Sequence, residues 1–391
     1  MKTSAGAARR GRANPALREL APVLAIVFLF LLPGLASAFP SFSRQVGRDC
    51  TYCHNAFPKL NDTGRTFLYN GYRFEAEEEW KEVKDLSTIP VSFEVEVEGM
   101  YDRIKTGSAV SESSDLKIEE AEIMAGGAFG RTGKVTSLAM VAVEQDGDGF
   151  DAGIHKAFVQ INDLAGRTGA GALNIKAGIG EIGIAFLNPL TTPISNRYLA
   201  DRVLGVIGSG ERFFELNGSF ENEGQRVFNH RYRAGISRED VNSNDKLKGA
   251  YASWAVSIDE DFSIGAVARA GEERDGSVDV SYKKYGLAAE AEKGPFILTL
   301  GYFLSEKTSQ SQISDYLAEL LYFIDRFTLG ARYEVASSSG DRVTSQTYIA
   351  RYDILRNAIA QFEYRRLDDK DLLAGGGENE DRLRVMLMAV F

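Results

Sequence analysis

The chain of 391 residues has few cysteines and few prolines, and it lacks an excess of basic residues. Its two cysteines exclude a framework of several disulfides. Because 45 lysines and arginines stand against 55 aspartates and glutamates, the net charge is −10, which argues against a nucleic-acid partner. The 39 glycines, 23 phenylalanines and 16 tyrosines, by contrast, favour β-strands connected by turns.

Long hydrophobic runs are missing as well, since the apolar stretch 23–32 spans only ten residues and cannot cross a bilayer as a helix. This stretch follows the basic residues Arg9 and Arg10 and precedes the small residues 36–38, a pattern typical of a secretory signal peptide. We therefore expect residues 1–38 to be removed on export. Without a helical span, the mature chain can enter a membrane only as a closed β-barrel, because every backbone polar group must be satisfied there.

The strongest chemical signal is the pentapeptide Cys-Thr-Tyr-Cys-His that begins at Cys50. Its spacing is that of covalent haem c attachment, in which Cys50 and Cys53 bind the two vinyl groups and His54 is the proximal ligand of the iron. A thioredoxin-like redox pair would need a βαβ unit, and a zinc site would need further ligands, whereas His155 and His230 are distant in sequence. A chance occurrence of the motif is the remaining alternative. We therefore predict one covalent haem c.

Residues 39–89 are predicted to form a small haem module that ends in a linker, residues 75–90. Asn61 is placed to cap a helix that begins at Asp62, and Gly71 suits the position just after its end. The apolar side of this helix consists of Leu60, Phe67, Leu68 and Tyr72. These side chains lie against a porphyrin, form a miniature core, or do both. Because so short a segment buries little surface, covalent haem would supply much of the missing core.

From residue 91 onward, apolar and polar residues alternate. The first segment alternates apolar residues with Glu94, Glu96 and Glu98, which is the period of two expected for a strand with one lipid-facing side. Fifteen further segments follow this pattern: 116–129, 134–145, 152–162, 173–182, 213–220, 227–238, 248–258, 262–272, 278–291, 295–304, 313–323, 326–336, 342–354, 357–367 and 382–391. The pattern therefore predicts sixteen strands.

The connections between these strands alternate between short and long, as in outer-membrane barrels with periplasmic turns and external loops. The long polar connections in the second half are 239–247, 305–312, 337–341 and 368–381. An even number of strands places both chain ends in the periplasm, and the last strand ends in Phe391, which resembles the assembly signal of bacterial outer-membrane proteins. A soluble β-sandwich would not explain these features together. The predicted fold is all-β: a sixteen-stranded outer-membrane β-barrel over residues 90–391 with a small N-terminal α-helical haem c module.

The N-terminal region resembles the fused outer-membrane cytochrome–porins, which join one N-terminal haem c to a sixteen-stranded barrel. The resemblance rests on Ala38 to Gly47, Cys50, Cys53, His54, Pro58 to Asn61, Gly64, Arg65, Phe67, Gly71 and Tyr72. The chain departs from the family pattern at Ser43 and Val46, where Ala and Thr are usual. The best-known members oxidise ferrous iron at the cell surface. The resemblance therefore implies that Cys50, Cys53 and His54 hold a haem that receives electrons from extracellular Fe(II).

A sixteen-stranded barrel has a lumen wide enough to hold a small plug. The glutamates of the first two strands that project to one side are Glu94, Glu96, Glu98, Glu120 and Glu122. Their carboxylates either attract Fe²⁺ or simply provide the polar lining that any such barrel requires. The connection 187–212 is the third external loop, which folds into the pore of sixteen-stranded porins. Here it either narrows the lumen over the haem or stays at the surface.

The predicted haem module contains no methionine and no second histidine to serve as the sixth iron ligand. The iron is therefore five-coordinate, ligated by an uncommon group such as Lys59 or Asn55, or ligated by the barrel. Strand alternation places His155 and His230 toward lipid or the rim. The inward positions of the first two strands and the last strand hold Met100, Met124, Met386 and Met388, which closure of the barrel would gather on one wall. We predict Met388 or Met124 as the sixth ligand in at least one redox state, since methionine raises the haem potential. The alternative is that these flexible side chains only pack against the plug.

Three functions follow from these features. The first is a redox protein that passes electrons from extracellular Fe(II) through one haem c to a periplasmic c-type cytochrome. The second is the same conduit run outward to minerals, and the third is a transport porin whose haem module is a plug or sensor. In all three, the protein lies in the lipid of the outer membrane, with the haem module in the lumen or on the periplasmic side.

Overall fold

The computed structural model describes most of the chain beyond its N-terminal region. The described residues are 42–43, 47–74, 91–129, 133–146, 149–166, 171–188, 192–195, 197–238, 248–275, 278–308, 310–355, 357–370, 372 and 378–390. The predicted signal peptide (residues 1–38) and linker (residues 75–90) lie outside these ranges. Among the described residues, no helix is long and apolar enough to cross a membrane.

Sixteen antiparallel strands form a closed barrel in which each strand pairs with its neighbours in sequence and the last pairs with the first. The strands are β3 Val91–Thr106, β4 Ala109–Phe129, β5 Val135–Asp146, β6 Gly149–Ile161, β7 Asn174–Ile182, β8 Gly208–Glu223, β9 Val227–Arg238, β10 Gly249–Ile258, β11 Phe262–Asp275, β12 Val278–Lys293, β13 Phe296–Lys307, β14 Ile313–Ile324, β15 Phe327–Ser338, β16 Asp341–Leu355, β17 Ala358–Lys370 and β18 Glu378–Val390. This confirms the predicted number and order of strands.

The two faces of the strands differ as the alternation predicts. Phe93 in β3 and Leu387 in β18 lie on the outer face, and each is 49% exposed. On the inner face, Glu98 is fully buried and pairs directly with the buried Met386. The outer surface is therefore apolar and the lumen polar, as in membrane-spanning barrels.

Several strands run further than the polarity pattern predicts. β4 begins at Ala109 instead of residue 116, and it continues the ladder with β3 to the Thr106–Ala109 pair. The predicted loop 337–341 is wrong, because β15 and β16 are separated only by Ser339 and Gly340. Both residues have positive φ, as a two-residue hairpin turn requires. The predicted strands end too early because their ends were placed at the first polar residues. Backbone pairing continues beyond the apolar part of a strand.

The N-terminal segment 47–74, called here the plug, lies inside the barrel. It contains the short strands β1 (His54–Ala56) and β2 (Lys59–Leu60) and the helix α1 (Asp62–Tyr69). Its barrel contacts lie near the end at which β3 begins and β18 ends, called here the terminal end. One such contact joins Asn55 of the plug to Glu292, near the end of β12.

The helix α1 begins and ends as predicted. The side chain of Asn61 accepts a hydrogen bond from the Gly64 N–H at 2.9 Å, which caps the first turn. After the C-cap residue Asn70, Gly71 has a φ of +70°, the left-handed conformation that glycine adopts without strain.

The third loop of the opposite end, between β7 and β8, folds into the lumen. Its short helix α2 (Leu199–Arg202) is anchored by the Leu199 N–H, which donates to Glu334 Oε1 at 2.7 Å. Tyr198 OH lies 3.3 Å from Glu319 Oε2. The loop residue Ile194 packs in an apolar cluster with the inward-facing Ile297, Leu321 and Ile349. Of the two predicted alternatives for this loop, the surface position is therefore wrong for its described residues.

Candidate functional site

The two cysteines lie at either end of a single 3-10 turn, Cys50–Tyr52. The Cys53 N–H donates to the carbonyl oxygen of Cys50 at 3.1 Å, so both thiols belong to one tight turn. The cysteines form no disulfide with each other, and both are partly exposed. The turn thus carries two thiols that are not joined in a disulfide, immediately before His54.

Asn61 holds this turn against helix α1. Its backbone N–H donates to the carbonyl oxygen of Cys53 at 3.0 Å, and its side-chain amide donates to that of Tyr52 at 3.1 Å. Gly64, in the first turn of α1, lies against the cysteine turn, and a Cβ atom there would be 2.2 Å from the carbonyl oxygen of Cys53. Only glycine allows the helix to approach the turn this closely.

The imidazole of His54 is oriented by the backbone. Its Nδ1 lies 3.2 Å from the carbonyl oxygen of Pro58, an acceptor that requires the proton on Nδ1. This hydrogen bond leaves Nε2 without the proton and able to bind a metal. Burial lowers the pKa of His54 to about 4, which favours the neutral imidazole that metal binding needs.

A buried charge cluster ties the plug to β12. Lys59 Nζ lies 2.5 Å from Glu290 Oε2, and Arg65 binds the other oxygen of the same carboxylate. All three side chains are about 2% exposed, so one buried glutamate of the wall pairs with two cations of the plug. Lys59 also donates to the carbonyl oxygen of Phe186 at 3.0 Å, which connects the plug to the third loop.

A second contact joins α1 to β9. Arg231 Nη2 lies 2.8 Å from Asp62 Oδ1 and donates to Thr66 Oγ1 at 2.7 Å. Burial alone would raise the pKa of Asp62, but the charge and hydrogen bonding of Arg231 outweigh it and hold that pKa below its usual value. One turn further along α1, the hydroxyl of Tyr69 accepts a hydrogen bond from Arg233 at 2.6 Å. Two consecutive inward positions of β9 thus hold the full length of the helix.

A third contact fixes the end of the plug. Arg73 binds Asp163 through two parallel hydrogen bonds of 2.9 and 3.0 Å, and both side chains are at most 3% exposed. Burial would raise the pKa of Asp163, but the hydrogen bonds from Arg73 and from the Gly171 N–H lower it overall. Asp163 lies in the connection after β6 at the terminal end, so the plug is fixed to the rim as well as to the wall.

The apolar side of α1 is used for packing. Phe67 and Tyr72 are buried in a cluster with Leu138 and Phe158 of the wall, and Phe42 stacks on Tyr72 with ring centroids 4.6 Å apart. The predicted miniature core is therefore present, and the barrel wall completes it. Leu68 packs at its edge.

The methionines occupy one lumenal wall. Met388 pairs with Glu96, Met386 with Glu98, Met100 with Arg384 and Met124 with Ser92, so all four lie on the inner face of β18, β3 and β4. The sequence analysis missed a fifth, Met140, which pairs with Met124 and packs against the cluster of Phe67 and Tyr72. Met386 Sδ lies 4.0 Å from Ser195 Oγ of the third loop. A methionine ligand for a haem iron stays a prediction.

One of the two histidine positions was predicted wrongly. His230 lies on the outer face as predicted, stacked between Phe220 and Trp254 with ring centroids 4.7 and 5.8 Å away. His155, however, faces the lumen, where its Nδ1 lies 3.4 Å from the buried Glu122. A β-bulge is the physical reason: β5 residues Met140 and Val141 pair with β6 residues 156 and 154, so His155 is an extra residue that shifts the alternation.

The sequence analysis did not single out the lumenal residues that hold the plug, among them Arg231, Arg233, Asp163 and Glu290. The sequence signal of Arg231, Arg233 and Glu290 is a charged residue on the inward face of a strand, and Asp163 lies in the connection after β6. Polar residues are expected at such positions in any barrel of this kind. The contact partner of each became evident only from the position of the plug.

Comparison with known proteins identifies the barrel. No protein-family model and no curated protein matches the chain. Among solved structures, an anion-selective porin from Comamonas acidovorans aligns with a TM-score of 0.54 at 12% identity, covering 77% of this chain and 99% of that one. OmpF of Salmonella typhi, in complex with daunomycin, aligns at 0.53 and 12% identity, and the outer membrane channel DcaP of Acinetobacter baumannii at 0.52 and 11%; each covers 77% of this chain and 97% of the other. At these identities the likeness shows the fold alone, and that fold is the porin barrel.

Proposed function

We propose that this protein is an outer-membrane electron-transfer protein that carries one covalent haem c in the lumen of its barrel. The observation that carries the proposal is the position of the Cys50–His54 turn on a plug held inside a closed porin-like barrel. In this proposal electrons pass from extracellular Fe(II) to a periplasmic c-type cytochrome. The apolar outer surface and the porin fold support an outer-membrane location.

The residues present fit a haem c. Two partly exposed thiols that are not joined in a disulfide lie one turn apart, and His54 follows them with its Nδ1 proton directed to Pro58. Cys50 and Cys53 would form the two thioethers, and His54 Nε2 would ligate the iron. When bound, haem c supplies a one-electron Fe(III)/Fe(II) couple. Met388 and Met124 remain our candidates for the sixth ligand.

The plug contacts explain why a redox group would be built into a barrel. An apolar membrane prevents charge from crossing, whereas a lumenal site shortens the gap between an external donor and a periplasmic acceptor. Glu290 and Arg231 hold the plug against the wall through buried contacts. A buried ion pair is costly to break, so the plug stays in one position relative to both ends.

Replacing the cysteines tests cofactor attachment. Cys50→Ala and Cys53→Ala should leave a folded barrel without normal covalent haem, because strand pairing needs no haem. Peroxidase staining of denatured protein measures covalent haem, and heat-modifiable gel migration measures barrel folding. His54→Ala should abolish normal ligation even if a thioether forms, and it should change the visible spectrum. Full covalent haem in the double cysteine variant would overturn the proposal.

The donor and the direction of electron flow need separate measurements. Rapid reduction of the purified protein by Fe²⁺ would support Fe(II) as the donor. A haem potential above that of the periplasmic cytochromes would instead favour electron export, because electrons flow toward the higher potential and the same residues would then carry them outward.

A transport porin is the second candidate, favoured by the similarity of the barrel to solved porins. The plug and the third loop both fill the lumen, which opposes free diffusion. Ion conductance in a planar bilayer separates the candidates: we expect a conductance well below that of an open sixteen-stranded porin. A conductance equal to that of an open porin would favour transport.

A further inference from the structure

Carboxylates face each other across three neighbouring strands of the lumenal wall. Glu96 of β3 pairs with Glu120 of β4, and Glu120 pairs with Glu144 of β5. In the adjacent row, Glu94 pairs with Glu122. Like charges placed directly opposite each other destabilise a sheet. A positive partner would offset the repulsion among these five carboxylates in two adjacent rows.

Two β-bulges lie beside these rows. In β4, Glu96 and Val97 of the partner strand pair with Glu120 and Ile118, so Glu119 is an extra residue. In β6, His155 is the extra residue, and the bulge turns it from the lipid side into the lumen. Bulges of this kind re-aim side chains and occur frequently beside functional sites.

The imidazole of His155 lies among the carboxylates. Its Nδ1 is 3.3 Å from Glu120 Oε1 and 3.4 Å from Glu122 Oε1, and its Nε2 is 2.8 Å from Glu144 Oε1. Glu120, Glu144 and His155 each offer one ligand atom, and these atoms lie within 4.8 Å of one another. Within the described parts of the chain, His155 is the only basic side chain at ion-pair distance from Glu120, Glu122 and Glu144.

Glu122 provides an independent observation that a ligand belongs here. Its side chain is 4% exposed, and its Oε1, directed at His155, accepts no hydrogen bond from any described residue. A buried carboxylate oxygen without a hydrogen bond is costly. A cation among Glu120, Glu122, Glu144 and His155 would remove that cost and offset the repulsion between the rows.

We propose that Glu120, Glu144 and His155, supported by Glu122, bind a divalent first-row transition-metal cation in the lumen. An imidazole carries at most a single positive charge against several carboxylates, whereas a divalent cation neutralises more of them. Carboxylate oxygens bind hard cations, and an imidazole nitrogen shifts the preference toward Mn²⁺, Fe²⁺, Co²⁺ and Zn²⁺. The site needs no haem, so it goes beyond the proposed electron transfer.

Calorimetric titration of the purified full-length protein with Co²⁺ tests this site. Co²⁺ does not reduce haem c, so its binding is independent of the redox function. We expect one Co²⁺ per chain, and affinity at least about 10-fold weaker in His155→Gln and in Glu122→Gln. The matched control is His230→Gln, a histidine on the outer face, which should bind as the unmodified protein does.

Folding of each variant is checked by heat-modifiable gel migration. If His155→Gln does not fold, Glu144→Gln replaces it, since Glu144 is a partly exposed ligand in the same set. Absence of Co²⁺ binding in the unmodified protein would overturn the proposal. Equal affinity in the folded His155 or Glu144 variant would overturn it as well, because His155 would then be only an ion-pair partner.

Discussion

Gly64 is a single residue on which the geometry of the cysteine turn depends. Because a Cβ atom there would lie 2.2 Å from the Cys53 carbonyl oxygen, Gly64→Ala should push the helix and the turn apart. We expect the variant to lose roughly 1–3 kcal/mol of local stability. Limited proteolysis of the plug measures the effect. Gly153→Ala is the control, because no atom lies within 4 Å of its added Cβ, and equal protease resistance of the two variants would contradict the prediction.

The lumenal methionines allow a second prediction at this scale. Replacing Met100, Met124, Met386 and Met388 together with Leu should shift the visible spectrum and lower the haem potential, if one of them ligates the iron. Leucine keeps the apolar volume, so packing changes little. Met140→Leu, on the same wall but outside the predicted set, serves as the control. An unchanged spectrum and potential would assign the four side chains to packing alone.

Helix α1 and the residues after it dock through the pairs Asp62–Arg231 and Arg73–Asp163. The pKa of each aspartate is held below its usual value of about 3.9. A carboxyl group whose pKa is lowered in the folded state stabilises that state. This stabilisation is fully present above the usual pKa of the unfolded chain and is lost as the pH falls through the lowered pKa. We therefore expect the plug to stay docked at neutral and mildly acidic pH and to loosen only below about pH 4. Hydrogen exchange of the α1 amides, corrected for intrinsic rates, measures this.

Removing one partner of the Arg73–Asp163 pair should loosen the plug at neutral pH. Arg73→Ala leaves Asp163 buried without its bidentate partner, which typically costs about 3–5 kcal/mol. Arg226→Ala is the matched control, since its pair with Asp259 is 3.7 Å long and exposed, and such pairs contribute little. Faster exchange of α1 in both variants alike would show that the buried pair is not what holds the plug.

The whole barrel has two distinct ends, and its orientation in the membrane is testable. Epitope tags inserted within 308–312 or beside Leu372 should be labelled on intact cells, because these positions lie opposite the terminal end. A tag at Gly294, in the turn between β12 and β13, should be labelled only after the cells are permeabilised. The reverse pattern would show that the barrel is inserted in the opposite orientation.

The sequence by itself determined the features that depend on local periodicity. Alternation with a period of two specifies sixteen strands and their two faces. The reason is that one side of each strand faces apolar surroundings and the other side faces a polar lumen. Asn61 and Gly71 determined the ends of α1, because a helix terminus depends on hydrogen bonds and φ angles within a few residues.

Only the tertiary structure decided which distant residues meet. The inward direction of His155 depends on one extra residue in its pairing with β5, and a bulge leaves no trace in the local pattern of polarity. The partners of Arg65, Arg231 and Arg73 depend on where the plug lies in the lumen. A charged residue on the inward face of a strand fits the alternating pattern whether it lines an open channel or binds a plug. The contacts that fix the plug are therefore determined only when the barrel has closed around it.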